Sequence, residues 1–305
     1  MPADRPVIVT VPGKINLALG VGARRADGYH DLVTLFQAVS LYDRVTAEAA
    51  PAGEIGLVMA GVDVAALGPP EDNLAVRAAR LLASRRAPGA GVLLTVLKGI
   101  PVAGGMGGGS ADAAGALLAC ERLWHLAPDR AGLLGLAAEL GSDVPFLTLG
   151  GTAVGRGRGE DLSPVPTTGE WSWVLVTSAE GLSTPLVFAR FDELTPNPPA
   201  PGLPAGLLDA LAGGDPYALG PLLRNDLAAA ALDLRPDLAA TLQAGRDRGA
   251  VAGIVSGSGP TCAFLAADAA DAGRLAEELR RDGIGRSVHV VSGPARIGFR
   301  HEGRG

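Results

Sequence analysis

The sequence predicts an α+β protein in two parts, and three observations carry that prediction. Strand-like apolar runs are mixed with Ala- and Leu-rich helical runs, which gives at least one sheet covered by helices on one side. The chain has 305 residues, 48% of them hydrophobic, enough for a sizeable core and for two domains. Gly, Pro, Ser and Thr cluster over residues 158–170, which marks a boundary. The predicted division is residues 1–160 and residues 161–305.

Residues 5–22 alternate and then run apolar, which predicts a strand or hairpin interrupted at Pro12-Gly13. Strand character continues over 33–41, 44–48 and 54–59. Asp72-Asn73 reads as the N-cap of a helix over 74–86, whose apolar residues share one face. A strand over 92–100 leads into a glycine-rich loop, and a helix-like run over 113–124 leaves it. Another helix, 130–140, stops at Gly141, and 148–156 reads as a glycine-bounded strand. Beyond the boundary come a strand over 171–177 and an extended Pro-rich loop over 196–204. Helices are predicted at about 205–212, 216–229 and 236–248. A strand at 253–256, a turn at 257–260, a strand at 262–266, a helix at 269–281 and a strand at 287–292 complete the reading. The sequence shows no internal repeat.

The loop is the most informative segment. Five of the six residues Gly104, Gly105, Met106, Gly107, Gly108 and Gly109 are glycine, and Ser110, Ala111 and Asp112 follow. Glycine loses more freedom on folding than any other residue, so such a run signals close approach of backbone to a partner. At a helix start, where amides lack partners and the macrodipole is positive, that partner is most often a phosphate. No Gly-Lys-Ser/Thr follows, which excludes a Walker A loop. The spacing also fails the dinucleotide fingerprint, and a helix rather than a hairpin follows, unlike a protein-kinase loop. What remains is a strand, a glycine bend and a helix whose first amides suit a triphosphate, or else a tight turn that packs the helix on the sheet.

Composition narrows the rest. A net charge of −6 argues against a general nucleic-acid or anionic-membrane surface. No apolar run reaches the ~20 residues of a membrane span, and no secretory pattern opens the chain, so a soluble, cytoplasmic protein is expected. Cys120 and Cys262 lack zinc spacing and read as buried, reduced thiols. Of the 26 basic residues only Lys14 and Lys98 are lysine. Where arginine supplies surface charge throughout, a lysine at a strand edge (Lys14) or at the loop mouth (Lys98) suits phosphate or proton chemistry.

Three segments, in order, resemble the motifs of the GHMP small-molecule kinases: Pro-Gly-Lys-Ile-Asn-Leu at 12–17, Pro-x3-Gly-Met-Gly at 101–107 and Gly-Ser-Gly-Pro at 257–260. Arg-Ala-Asp-Gly-Tyr-His at 25–30, Asn73-Leu74, Gly-Ser-Asp-Val-Pro at 141–145 and Arg-Asn-Asp at 224–226 are similar to one branch of that family. That branch phosphorylates a cytidine diphosphate ester of methylerythritol, in the non-mevalonate route to isoprenoid (terpenoid) precursors. The likeness spans roughly residues 7–265, and Asp-Gly-Tyr-His is its specific part. It implies a two-lobed fold, a ribosomal-protein-like α/β domain followed by a ferredoxin-like α+β domain, with the active site in the cleft between them.

The resemblance also implies site residues. Asp143 matches the family's base, although an Asp after a helix stop also reads as an N-cap. Lys14 matches its partner, and Asn16 either orients substrate or is simply hydrogen-bonded within its strand. Pro101, Val102, Ala103, the loop from Gly104 to Gly109, Ser110 and Ala111 match the ATP phosphate loop. Lys98 and Asn73 would lie near the adenosine, with Asn73 equally readable as a plain helix cap. Tyr29 and His30 match a cytosine-recognition pair. Phe188 is a second stacking surface or a core residue, and Thr184 a cytidine contact. The Gly257–Gly259 segment lies against the phosphate loop or is an ordinary turn. The implied cofactors are ATP and Mg²⁺, the latter with no ligands identifiable in the sequence. The partner is a small-molecule substrate, with no nucleic acid and no membrane, and the protein a monomer or weak dimer. Other readings are a kinase for mevalonate or homoserine, against which Asp-Gly-Tyr-His speaks, and a catalytically silent nucleotide-binding regulator.

Two positions depart from the family pattern. Ala111-Asp112 stands where Ser-Asn is usual, which removes a hydroxyl and adds a carboxylate near the phosphates. Met106 replaces Leu, a nearly volume-conserving exchange.

Overall fold

The structure is a computed structural model that describes residues 5–61, 69–102 and 104–301. Its elements run β1 (Val7–Arg24), β2 (His30–Ala49), β3 (Ile55–Ala60), α1 (Leu74–Arg86), β4 (Val92–Leu97), α2 (Gly108–Leu123), α3 (Arg130–Leu140), α4 (Val144–Leu149), β5 (Thr152–Gly157) and β6 (Asp161–Pro164). There follow β7 (Trp171–Thr177), α5 (Thr184–Leu194), α6 (Leu207–Gly213), α7 (Pro216–Leu219), β8 (Arg224–Asn225), α8 (Ala228–Leu234), α9 (Asp237–Asp247), β9 (Ala252–Val255), β10 (Cys262–Leu265), α10 (Ala269–Arg281), β11 (Ser287–Gly293) and β12 (Gly298–His301). The expected α+β architecture with two sheets is present.

The larger sheet is built on the antiparallel pair β1 and β2, extended as β12-β1-β2-β4-β3, with β5 on the far part of β2 and β6 beside it. α1, α2 and α4 lie on this sheet, and α3 packs against those three helices. α2 lies so close that a Cβ on Gly115 would stand 2.5 Å from Val45 Cγ2, and its remaining inward residues are mostly alanine. A helix of small residues is what lets the glycine loop reach down to strand level. The smaller sheet, β11-β7-β10-β9, is antiparallel. One face, with Val174, Val176 and Phe264, packs on α5, α8, α9 and α10; the other, with Trp173, Leu175 and Leu265, joins the core of the first lobe.

The lobes therefore share their interior. β1 places Val9 to Leu17 in the first core and Leu19 and Val21 in the second. Trp173 donates its buried indole N–H to Gln37 Oε1 at 2.9 Å, crossing from one lobe to the other. β8 pairs with β1 at Ala18 and Leu19, and β12 pairs with it from Val7 to Thr10, so segments beyond residue 160 complete the first sheet.

Several local expectations are corrected. β1 is not interrupted at Pro12-Gly13; it runs through with a register shift there, and with two more at 16/18 and 21/24. α2 begins at Gly108, within the glycine run, because helical hydrogen bonding needs no side chain. Residues 148–156 divide between the end of α4 and β5. The helix predicted over 216–229 is instead α7, a single 3-10 turn, β8 and the start of α8. The helix α5 carries a start signal the hydrophobic pattern hid, Ser183 as N-cap and Pro185 in the first turn. β6 and β12 are further strands. Both cysteines are buried and unpaired, and burial pushes the Cys262 thiol up to about 12. Among the described residues no helix is long and apolar enough to cross a membrane.

The Trp173–Gln37 bond gives a measurable expectation. Gln37→Leu strands a buried indole donor and should lower stability by about 1–3 kcal/mol. Urea unfolding checks this, and a change under about 0.5 kcal/mol would show that the bond contributes no more than an ordinary surface contact.

Candidate active site

Lys14 and Asn16 stand two residues apart on β1, so their side chains share a face, and the register shifts on either side aim them at the junction of the lobes. Lys14 Nζ donates to Asn16 Oδ1 at 2.9 Å, and Asn16 Nδ2 donates to Thr34 Oγ1 at 2.8 Å. Thr34 in turn donates to the Ala18 carbonyl. Both ends of the Asn16 amide are thus engaged inside the protein, and the residue holds Lys14 in place. The Lys14 ammonium also lies 3.5 Å from Asp143 Oδ2. Asp143 does occupy the position before α4, but its carboxylate makes no capping bond. Its side chain is partly exposed and turned toward the lysine. A lysine that is nearly buried, with a carboxylate at its tip, is a pair suited to moving a proton from a hydroxyl.

The glycine loop passes beside this pair. The Lys14 amide donates to the Met106 carbonyl at 3.1 Å, and Met106 itself is a buried core side chain. Gly105 and Gly107 both have φ of +75°, a conformation closed to most other residues. Gly108, Gly109 and Ser110 form the first turn of α2, whose N–H groups have no partner further back in the helix. Pro101 and Val102 lead in at the surface, Ala111 is buried in the helix, and Ala103 lies outside the described residues. The second lobe meets this loop through the 257–260 turn. Thr261 Oγ1 donates to the Gly104 carbonyl at 2.5 Å, and a Cβ on Gly105 would be 2.5 Å from the Gly259 carbonyl oxygen. Asn225 secures the turn from behind, donating to the Val255 and Gly257 carbonyls at 2.8 and 2.7 Å.

Asn73 caps α1, accepting from the Ala75 amide at 2.9 Å. The next residue, Leu74, lies within 3.7 Å of where a Cβ of Gly109 would stand, so the cap borders the loop. Lys98 sits behind the loop rather than in it. Its ammonium donates to Asp43, Asp112 and the Gly108 carbonyl. Asp112, the carboxylate that departs from the family pattern, therefore meets a lysine in the protein interior. Burial pushes its carboxyl up to about 7, against the downward pull of Lys98.

A cavity of about 490 Å³ opens on the other side of Asp143. Tyr29, His30, Thr184 and Phe188 all line it, with Gly141 and Ser142 of the segment that carries Asp143. The His30 ring stacks on Phe188, centroids 5.0 Å apart, and its Nε2 lies 2.8 Å from Asp192 Oδ1. An ionised carboxylate only accepts, so Nε2 donates to it, and in the neutral imidazole Nδ1 is then an acceptor. Tyr29 is half exposed at the rim, with the Arg158 guanidinium 5.2 Å over its ring. Sequence reasoning missed Asp192, Arg158 and Asp43. Asp192 was legible in principle, since it lies four residues after Phe188 and so shares its helix face; Asp43 comes from β2 and Arg158 from the turn between β5 and β6, both far off in sequence.

The sequence matches the GHMP kinases N terminal domain over residues 73–151 and the GHMP kinases C terminal domain over residues 207–285. The chain belongs to the GHMP kinase family. Within the family it is similar to the 4-diphosphocytidyl-2-C-methyl-D-erythritol kinases of Rhodococcus jostii, 51% identical over 95% of this chain and 93% of the relative, and of Mycolicibacterium smegmatis, 53% identical over 94% and 90%. A crystal structure of 4-(cytidine 5'-diphospho)-2C-methyl-D-erythritol kinase superposes with a TM-score of 0.78 at 36% identity, covering 95% of this chain and all of that one. A homoserine kinase from Cytophaga hutchinsonii shares the fold, with a TM-score of 0.76 at 18% identity over 98% of each chain. As a GHMP kinase the protein is an ATP-dependent phosphotransferase.

The Asp112 environment predicts a pH effect on stability. Its carboxyl is raised from 3.8 to about 7 in the folded protein, so between those values the folded state holds a proton that the unfolded chain has released. Stability attributable to this group therefore falls as pH rises from about 4 to about 7 and is level above that. Asp112→Asn should flatten this part of the curve, as read by urea midpoints at pH 5 and pH 8. An unchanged slope would place the titration elsewhere.

Proposed function

We propose that this GHMP kinase transfers the γ-phosphoryl group of ATP to the C2 hydroxyl of 4-diphosphocytidyl-2-C-methyl-D-erythritol, a step in the non-mevalonate route to isoprenoids, in the cytoplasm. The observation that carries the proposal is the placement of the Lys14–Asp143 pair. It stands between the glycine loop and a cavity whose walls offer a stacking phenylalanine, a tyrosine rim and an oriented histidine. The names of the relatives at 51% and 53% identity point to the same acceptor.

Phosphoryl transfer asks the protein mainly for alignment and charge neutralisation. In this reading the triphosphate lies along the loop from Pro101 to Ala111, accepting from amides at the start of α2. Adenosine lies toward Asn73. Cytosine stacks between Tyr29 and Phe188, and its exocyclic amine donates to His30 Nδ1, the acceptor that Asp192 leaves free. Thr184, whose hydroxyl is 2.8 Å from Ser258 Oγ, borders the ribose. The acceptor hydroxyl then lies by Asp143. Its oxygen forms a bond to the γ-phosphorus as the bond to the β-phosphate oxygen breaks, and its proton passes to the Asp143 carboxylate. Lys14, held by Asn16, offsets the charge that develops on the oxygens in transit.

Magnesium supplies charge neutralisation on the triphosphate in such reactions. No group of three or more His, Cys, Asp or Glu among the described residues forms a resident site for a metal, and Asp112 is committed to Lys98. Any ion would be held mainly by the phosphates of the nucleotide, and none of the steps above runs through it.

The test is ADP release from ATP and Mg²⁺ with three acceptors offered separately: the cytidyl-erythritol substrate, mevalonate and homoserine. Turnover with the first alone is expected, and turnover with mevalonate or homoserine alone overturns the proposal. Asp143→Asn should lower kcat by ~10² to 10⁴ with little change in ATP affinity, as for loss of a general base. Near wild-type turnover would reduce Asp143 to a helix-start residue. Tyr29→Ala should raise the KM of the cytidyl substrate far more than that of ATP, and equal changes would argue against stacking at the rim.

A further inference from the structure

A buried ionic cluster lies behind the glycine loop. The side chains of Lys98, Asp43 and Asp112 are 5%, 0% and 4% exposed. A lysine ammonium has three N–H donors, and here all three are in use: Asp43 Oδ2 at 2.5 Å, Asp112 Oδ2 at 2.9 Å and the Gly108 carbonyl at 3.1 Å. Asp43 reaches the other way as well. Its Oδ1 accepts from the amides of Gly99 and Ile100 at 2.8 and 2.9 Å. The cluster thus holds the chain on both sides of the loop, at 99–100 before it and at Gly108 and Asp112 after it.

A loop of five glycines in six residues has the most conformational freedom to lose when it takes hold of a ligand. Fixing both its ends beforehand lowers that cost. Lys98 keeps no donor for a phosphate or a nucleoside. We propose that Asp43, Lys98 and Asp112 are positioning residues for the nucleotide: they set the loop from behind, and none of them touches ATP. The inference rests on the reading that the loop holds the triphosphate.

Direct contact and positioning differ in sign. If Lys98 bound ATP, deleting the Asp112 side chain would release one of its donors and leave binding unchanged or tighter. If the cluster positions the loop, the same deletion weakens binding. Asp112→Ala is a suitable probe because the remaining Lys98–Asp43 pair is neutral, so no uncompensated charge is stranded in the interior.

The experiment is calorimetric titration of the full-length protein with ATP, together with steady-state kinetics and a melting curve for each variant. For Asp112→Ala the Kd for ATP should rise about three- to tenfold, the scale of one net hydrogen bond, while the KM of the acceptor changes less than about twofold. Asp112→Asn, whose amide oxygen still accepts from Lys98, should restore most of the lost affinity. Unchanged or tighter ATP binding by Asp112→Ala overturns the proposal, as does a lowered melting temperature without any change in ATP affinity. An Asn variant as weak as the Ala variant overturns the grip through Asp112. Failure of the unsubstituted protein to bind ATP would instead remove the reading of the loop, and this inference with it.

Discussion

The glycine loop and the 257–260 turn meet backbone to backbone, and there is no room between Gly105 and the Gly259 carbonyl for even a Cβ. This contact joins the two lobes beside the Lys14–Asp143 pair. It requires glycine on one side, a turn secured by Asn225 on the other, and the Thr261 hydroxyl to close the seam at Gly104. Two residues of the proposed site are tied to this seam. Lys14 is tied to the loop through the Met106 carbonyl, and Thr184 is tied to the turn through Ser258.

The two lysines show how one compositional signal can divide into different physical roles. Both are nearly buried and both answer carboxylates. Lys14 has a partly exposed partner in Asp143, so its charge faces a space a substrate can enter. Lys98 has two carboxylates sealed in with it, so its charge is spent on the scaffold. Rarity of lysine marked each position as unusual; only the partners, brought in from residues 43, 112 and 143, separate one role from the other.

Much of the site was legible because its parts are local in sequence. The glycine run, the strand before it, the helix after it and the Asp-Gly-Tyr-His segment each declare themselves within a few residues, α1 begins after its predicted cap Asn73, and α3 ends at its predicted stop Gly141. What escaped was set by distant partners. Asp43 falls between two predicted strands and Arg158 at the predicted boundary, and neither declares a role until Lys98 is placed beside the one and Tyr29 beside the other. α5 was obscured because its apolar residues are divided three ways: Val187 and Phe191 face the core, Phe188 the cavity and Leu186 the solvent. The break expected at Pro12-Gly13 became a register shift inside one strand, because β2 supplies pairing on both sides of it.

β12 gives the fold a temporal property. Val7 pairs with His301 and Thr10 with Gly298, so one edge of β1 waits for a partner made almost an entire chain later. During synthesis the N-terminal lobe emerges with that edge open, and an open strand edge invites pairing with other chains. Contacts of such sequence separation also form slowly, since the intervening chain must be ordered or looped first. The interior shared by the two lobes, which serves the enzyme by fixing its cleft, thus makes the last steps of folding depend on the arrival of its most distant strand.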